Sequence, residues 1–475
     1  MNRRKFLRSV SMSAAACVAA PLLTQCSGFS HKIPNILFLF ADDQCHEALS
    51  AFGSQVQTPN LDRLVKNGVT FTNAYNMGAW HGAVCVASRT MLNTGRFLWD
   101  AKALEPHLEE ERKSGRLWAQ YLAHAGYDTY FSGKWHVKVD VTKVFQVTRH
   151  IRPGMANQTP EGYNRPIEGK PDPWKPWDKK FGGYWKGGKH WSEVLGDDAV
   201  DYLTQAKDRE NPFFMYLAFN APHDPRQSPR RYVEKYPEKQ IKVPRNFMPE
   251  YPYKDAIGCG KDLRDERLAP FPRTKYAVRV HRQEYYAIIT HMDDQIGRIL
   301  DALEKSGKQN NTYIFFTADH GLAVGHHGLM GKQNMFEDSM RPPLIVVGPG
   351  LSENKRIDTP VYLQDIMPTT LELAGVKIPS QVEFKSLLPL IRGKKKENYE
   401  AIYGAYKNLQ RMVRKGDFKL IYYPKIEKYL LFNLKTDPDE MVNLADKKEF
   451  REKGDELKNE LRRLQVQVND ELPIH

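Results

Sequence analysis

Pro34-Asn35-Ile36-Leu37-Phe38-Leu39-Phe40, followed at once by Ala41-Asp42-Asp43, decides the fold. A continuous apolar run of strand length, with no polar alternation, marks a strand buried on both faces, and such strands belong to parallel sheets covered by helices. Downstream, Thr58-Pro59 offers a helix cap with proline at the first helical position, and Leu61, Leu64 and Val65 recur at helical spacing before Gly68. A helix over about 117–124 stops at Gly126 and leads into a strand at 127–132. Residues 211–219 read as another buried strand, 284–305 as a long amphipathic helix, and 311–317 and 344–347 as further strands. Strands alternating with helices predict an α/β fold over residues 33–394, with a large, mostly parallel mixed sheet covered by helices on both faces.

The composition shifts near Lys394-Lys395-Lys396. Beyond it, short strands near 409–414, 418–423 and 429–434 and a charged helix over 447–466 predict a small C-terminal α+β subdomain, residues 395–475, with an antiparallel sheet. Between about 140 and 200 the periodicity is lost and Pro, Gly, Trp and Lys crowd together, which reads as an irregular insertion.

With 475 residues, 41% of them hydrophobic, the chain is neither disordered nor collagen-like, and its five cysteines exclude a disulfide-stapled scaffold. The net charge of +13 suits polyanionic partners (nucleic acid, anionic lipid or an acidic substrate) or simply a solvated basic surface. Part of that charge lies in residues 1–26, which read as an export signal. Arg3-Arg4-Lys5-Phe6-Leu7-Arg8 is a charged start resembling a twin-arginine signal, and the apolar run at 10–23 is too short and too rich in Ser and Ala to span a bilayer. Cys26, with Leu23 three positions before it, resembles a lipoprotein cleavage site; simple signal cleavage is the other reading. The expected location is therefore the periplasm or cell surface, with membrane attachment through a lipidated Cys26 and no nucleic-acid partner. Removing this segment takes away four basic side chains and leaves +9.

Ligands in open parallel sheets bind outside the carboxyl ends of the strands, and the polar clusters fall there. Asp42-Asp43 follows the first strand, Lys134 and His136 follow the strand at 127–132, His223 follows that at 211–219, and Asp319-His320 follows that at 311–317. An Asp after a strand is commonly a helix cap, and a lone loop histidine is commonly just solvated. Four such clusters at corresponding strand ends point to one site. Three carboxylates supply the hard oxygen ligands that Ca²⁺ or Mg²⁺ prefers, while Lys134, His136, His223 and Lys332 supply positive charge and protons. A cation ringed by such groups suits a tetrahedral oxyanion ester, phosphate or sulfate.

Cys85-Val86-Ala87-Ser88-Arg89, continuing through Thr94-Gly95-Arg96, resembles the signature of the type I sulfatases of the alkaline phosphatase superfamily. The family order is matched further by Asp42-Asp43, TPNLDRL at 58–64, GKWH at 133–136, Pro222-His223, Asp319-His320-Gly321, Gly331-Lys332 before Glu337 and Arg341, and LFNLKTDPDEMVNLA at 431–445. The resemblance implies that Cys85 is oxidised to 3-oxoalanine (formylglycine), whose hydrate attacks sulfur, forms a covalent sulfo-enzyme and then expels sulfate by S–O cleavage. It also implies that Asp42, Asp43, Asp319, His320 and modified Cys85 hold one Ca²⁺. Arg89 and Lys134 would orient the nucleophile, His136 would take a proton, and His223 with Lys332 would bind sulfate and protonate the leaving oxygen. Ala87, where Pro is commoner, points to the anaerobic type of formylglycine-generating maturation enzyme. His320 stands where Asn is frequent, a softer partner for Ca²⁺.

Trp174, Trp177, Trp185 and Trp191, interleaved with lysines, suit a sulfated carbohydrate, or else simply pack the insertion onto the domain. Arg226, Arg230 and Arg231 could reach a second anionic group or form a solvated face, and Trp80 and His81 could line the pocket. The expected activity is that of a sulfuric ester hydrolase on a sulfated carbohydrate. The alternatives are a phosphoesterase or phosphonate hydrolase of the same superfamily, an aryl or choline sulfatase, and an inactive carbohydrate-binding lipoprotein.

Overall fold

In the computed structural model, the run Asn35–Ala41 is strand β1, buried at every position. The structure describes residues 32–152, 154 and 159–474; the expected export signal and Cys26 lie outside them. Seven more strands join β1 in one sheet: β2 (Val69–Phe71), β3 (Asp128–Lys134), β4 (Val147–Arg152), β5 (Phe213–Ala218), β6 (Thr312–Ala318), β7 (Leu344–Val347) and β8 (Lys355–Ile357). Their order is β8-β2-β7-β6-β1-β5-β3-β4. Only β7 runs against its neighbours, so the sheet is mixed and mostly parallel, as the buried apolar runs require.

Successive side chains of β1 feed two cores. Ile36, Phe38 and Phe40 pack with Trp118 and Leu122 of the helix Trp118–His124. Leu37, Leu39 and Ala41 pack with Leu61 of the helix Pro59–Lys66, Tyr202 of Trp191–Ala206, and Ile288, Met292 and Ile296 of Lys275–Lys305. Helices therefore cover both faces, and burial of this order dominates the stabilisation of the domain.

Two expectations need correction. Residues 140–200 are not irregular throughout, for they contain β4 and the 16-residue helix Trp191–Ala206. β4 is an edge strand whose residues are half-buried or exposed, so it carries no apolar run, and Gly196-Asp197-Asp198 interrupts the apolar stripe of the helix. The long helix starts at Lys275 rather than 284, where Thr274 Oγ1 caps it by accepting from Ala277 N–H at 3.0 Å.

The C-terminal part forms an antiparallel sheet of β9 (Ile402–Tyr406), β10 (Gln410–Lys415), β11 (Phe418–Tyr423) and β12 (Lys428–Asn433), covered by the helix Arg451–Gln467 through Leu457, Leu461 and Leu464. A two-residue strand, Gly78–Ala79, adds parallel to β9. Gly78 has φ +96°, and a Cβ there would lie 1.9 Å from the Ala405 carbonyl oxygen, so only glycine permits this junction. The residues leading into Cys85 are thus fastened to the C-terminal sheet. Residues 33–475 form one compact unit, and no helix among the described residues is long and apolar enough to cross a membrane.

Gly133 is the second such position, at φ +102° with 1.9 Å between a built Cβ and the Ala218 carbonyl oxygen. It sits at the register shift in β3 just before Lys134. Gly133→Ala is expected to lower folding stability by about 3 kcal/mol, because both backbone strain and overpacking act at once. A thermal melt equal to wild type would contradict this account of the strand.

Candidate active site

Strands β6, β1, β5 and β3 lie side by side, and their register pairs Ala41 with Ala318, Phe40 with Ala218, and Ala218 with Gly133. Their carboxyl ends therefore stand level, and the polar groups that follow converge. Two of these residues hold backbone conformations rare outside glycine: Asp43 at φ 71° and His136 at φ 57°. Asp43 is pinned there by its N–H, which donates to Asp319 Oδ1 at 3.1 Å, and by its carbonyl, which accepts from Tyr285 Oη at 2.8 Å. Strain of this kind is held only where the surroundings over-determine it, as at a functional site.

Cys85 lies in the first turn of the helix Val84–Thr94 and is 2% exposed. Its Sγ is 3.3 Å from Lys332 Nζ, 3.6 Å from His320 Nε2 and 3.9 Å from Asp43 Oδ1. Lys332 Nζ also donates to both Asp43 carboxylate oxygens, at 2.7 and 2.8 Å. One helical turn on, Arg89 is wholly buried. Its Nε donates to Asp319 Oδ2 at 3.0 Å and its Nη1 to the Lys134 carbonyl at 2.6 Å, with the guanidinium 4.6 Å above the Phe40 ring. Lys134 Nζ pairs with Asp42 Oδ2, and Ser88 Oγ donates to the Asp319 carbonyl at 2.7 Å.

His320 Nδ1 faces the Gly321 carbonyl at 2.7 Å, which leaves Nε2 toward Asp43 Oδ1 at 3.1 Å. In the same way His223 Nδ1 faces the Asp224 carbonyl at 2.6 Å and presents Nε2 to Asp43 Oδ2 at 3.8 Å. Nine of the ten expected positions are buried and joined by these contacts; His136 is half-buried and feels the charges of Lys134, Arg89 and Asp42 without a hydrogen bond to them.

Ligand atoms of Asp43, Cys85, Asp319 and His320 lie within 4.8 Å of one another, as do those of Asp42, Asp43, Cys85 and His223. Asp42 Oδ1 is buried with no hydrogen-bond partner. Burial pushes the Asp43 carboxyl well above the usual carboxylate range, although Lys332 and His320 pull it down. Burial and the Asp319 charge act to raise Asp42 as well, but Lys134, His223 and Arg89 hold it below its ordinary value. His320 resists burial because the Asp319 and Asp43 carboxylates hold its imidazole up at about 9. An Asp42 oxygen that makes no hydrogen bond and three crowded carboxylates fit a divalent cation, which would restore Asp43 to its charged form. Arg89, Lys134 and Lys332 already match the three carboxylates in charge, so a bound dication leaves the site positive, the sign that draws an anionic ester.

The two other histidines are kept neutral. Burial, then Lys332 and Lys134, press His223 well below its ordinary value, and burial with Lys134 and Arg89 takes His136 down to about 3.

Sequence reading missed Arg264. Its Nη1 donates to Asp224 Oδ2 at 2.6 Å and its Nη2 pairs with Asp265, so it braces the residue whose carbonyl orients His223. It comes from the charge-rich run LRDERL, which carries no sign separating it from a solvated surface. Glu337 and Arg341, part of the motif order, stand apart. Glu337 accepts from Tyr75 Oη at 2.7 Å and Lys419 Nζ at 3.0 Å and ties the small sheet to the domain.

The tryptophans of the insertion are engaged in packing. Trp174 is buried and stacks on Phe181 at 4.5 Å, Trp185 lies under Lys179, and Trp191 lies under Arg152 at 4.5 Å. Arg226 is buried, not solvated, and donates weakly to His281 Nδ1 at 3.5 Å, whereas Arg230 pairs with Glu234 on the surface. Cys45, Cys85 and Cys259 are all free thiols.

A carboxylate cluster able to hold a cation, a buried cysteine and Lys and His side chains, all at the ends of a mostly parallel sheet, fit a hydrolase of oxyanion esters. The family model described as Sulfatase matches residues 34–376, and one described as N-sulphoglucosamine sulphohydrolase, C-terminal, matches 325–467. The chain belongs to the sulfatase family of the alkaline phosphatase superfamily, and it is a sulfatase enzyme. It is 26% identical to an N-acetylglucosamine-6-O-sulfatase of Bacteroides thetaiotaomicron, with 93% of this chain and 88% of that protein aligned. A solved structure of a protein in complex with its substrate D-glucosamine-2-N,6-O-disulfate superposes with a TM-score of 0.70 at 24% identity, over 94% of this chain and all of that one. The phosphonate monoester hydrolase of Agrobacterium radiobacter superposes with a TM-score of 0.71 at 20% identity, over 92% of this chain and 96% of that one, which speaks for the fold alone.

Proposed function

We propose that this sulfatase removes sulfate from a sulfated carbohydrate, with Cys85 as the precursor of its nucleophile and Ca²⁺ as its cation. The observation that carries this reading is the position of Cys85 Sγ, 3.3 Å from Lys332 Nζ and facing the carboxylates of Asp43 and Asp319. The sulfated-sugar substrates of the similar proteins support the carbohydrate assignment. Formylglycine at position 85, hydrated, would supply one hydroxyl for attack on sulfur and a second whose deprotonation releases sulfate. The cation, held by Asp42, Asp43, Asp319 and His320, would supply Lewis acidity beside that carbon.

The chain's own side chains do the rest. Arg89 holds Asp319 and the Lys134 carbonyl, and Lys134 holds Asp42, so the ligand carboxylates keep their places. Lys332 Nζ, charged beside the Asp43 carboxylate, binds the sulfate oxygens and brings a proton to the departing sugar oxygen, and His223, whose Nε2 faces the same carboxylate at 3.8 Å, joins it once the negative charge of the ester draws a proton onto Nε2. His136, neutral, accepts the proton from position 85. Ala87 supports maturation by the anaerobic type of enzyme, and the segment at 1–26 supports export to the periplasm or cell surface with a lipid anchor on Cys26.

Because His136 titrates near 3 rather than 6.5, it stays a competent base as pH falls through the ordinary imidazole range. The pH profile of kcat/KM is therefore expected to keep its plateau below pH 6. An acid limb centred near 6.5 that disappears in His136→Gln would contradict this lowered titration, and a His136→Gln variant with wild-type kcat would contradict the role as base. The activity itself is tested by sulfate release from a panel of sulfated saccharides, with an aryl sulfate and an aryl phosphate alongside. Turnover of saccharide sulfates well above the aryl phosphate is expected; a large preference for phosphate would overturn the reading.

A further inference from the structure

Arg152 ends β4, the edge strand beside β3, and its backbone pairs with Lys134, so the two Cα atoms stand about 5 Å apart at the level of the reacting groups. Trp135 N–H donates to the Arg152 carbonyl at 2.9 Å. Two residues on, the chain lies against His136, since a Cβ built on Gly154 would be 2.9 Å from His136 Nε2. Arg152 therefore adds a cation to the row of strand ends that already carries Asp42, Lys134, His223 and Asp319.

The guanidinium is fixed but not neutralised. It lies 4.5 Å over the Trp191 ring and 5.2 Å over the Tyr184 ring, and its Nη2 donates to the Gly183 carbonyl at 2.8 Å. Both rings are held in place. Trp191 N–H donates to the Tyr184 carbonyl at 2.8 Å, and Tyr184 Oη lies 3.1 Å from the His223 carbonyl and 3.2 Å from that of Asp224, to which it donates. Tyr184 also feels the charges of Asp42 and Asp43, which places it beside the catalytic carboxylates.

Arg152 Nη1 is buried with no acceptor, and burial lowers the guanidinium from its ordinary value with only Tyr184 opposing it. The carboxylates of the adjoining helix Trp191–Ala206 are committed elsewhere: Glu193 to His291, Asp197 to Lys189 and Arg298, Asp198 to Ser132 and His150, and Asp201 to Arg149. A cation drawn out of water without a counter-ion is costly unless an anion meets it. Stacking occupies the faces of the guanidinium and leaves an N–H edge, the part that grips carboxylate or sulfate oxygens in its plane. Lys186, exposed, stands 5.6 Å over the same Trp191 ring and pairs with no carboxylate among the described residues.

We propose that Arg152, with Lys186 beside it, binds a second anionic group of the substrate, a sulfate or a carboxylate, so that the enzyme selects doubly charged saccharides over singly sulfated ones. This rests on the carbohydrate reading above.

The test compares kcat/KM for sulfate release from three substrates: a monosaccharide with one sulfate, the same sugar with two, and the monosulfated sugar linked to a uronic acid. Wild type is expected to favour one of the doubly charged substrates by about tenfold or more, mainly through KM, and which one identifies the group as sulfate or carboxylate. Arg152→Gln is expected to abolish that preference. Arg152 also holds the Gly183 carbonyl, so Lys186→Ala, at an exposed side chain, serves as the second variant and is expected to reduce the preference in the same direction, through KM. Wild type indifferent to the second charge, a preference unchanged in both variants, or an equal loss on all three substrates would overturn the subsite and leave the carbohydrate reading standing. Release from aryl sulfate with none from any saccharide would instead overturn the carbohydrate reading, and the subsite with it.

Discussion

Cys85→Ala is expected to lower kcat for sulfate-ester hydrolysis by about 10⁴-fold or more, the scale seen when a nucleophile is removed from a site whose other groups remain. The fold should survive. The thiol is small and makes only long contacts, at 3.3 to 3.9 Å, so its loss is expected to cost about 1 kcal/mol of stability. A variant with normal melting and measurable binding of a sulfated product, but no turnover, is the expected outcome. Retained activity would show that Lys332, His223 and the cation cluster work without position 85.

Asp319 is the second position with a large expected effect, and there stability and activity separate. Asp319 and Arg89 are both fully buried and paired at 3.0 Å, and Asp319 Oδ1 also accepts from Asp43 N–H. Asp319→Ala removes one partner of a buried pair and strands the guanidinium, which is expected to cost about 3–5 kcal/mol. Asp319→Asn keeps an oxygen for the Asp43 N–H and most of the shape, and should melt closer to wild type. Both variants are expected to be inactive, because an amide neither balances Arg89 nor offers the cation a charged ligand. Excess Ca²⁺ should raise the melting temperature of wild type and have little effect on either variant. An active Asn variant, or equal Ca²⁺ stabilisation of all three, would contradict the assignment of Asp319 as a ligand.

The parts of this molecule that sequence could reveal are those where one local rule dominates. β1 is legible because a strand buried on both faces must be apolar throughout, and the carboxylates that follow stand out against it. The same holds for β6 with Asp319-His320. What escaped notice depends on distant partners. Gly78–Ala79 is too short to carry a pattern, and only its pairing with β9 makes it a strand. β4 is an exposed edge, and Arg264 braces Asp224 from a run whose charges resemble any solvated loop. For the insertion tryptophans composition left two readings open, a sugar platform or plain packing, and the contacts of Trp174, Trp185 and Trp191 with Phe181, Lys179 and Arg152 favour packing. The net charge of +13 is sharpened in the same way, since a cationic pocket for an ester sulfate uses only a few of those charges.

The central claim is that the protein acts through an aldehyde made from Cys85. Mass spectrometry of the peptide containing Cys85, taken from fully active enzyme produced in a host able to carry out the maturation, tests it most directly. The mass of the aldehyde or its hydrate at position 85, with occupancy tracking specific activity across preparations, is the result this account predicts. Full activity with an unmodified thiol at Cys85 would contradict it.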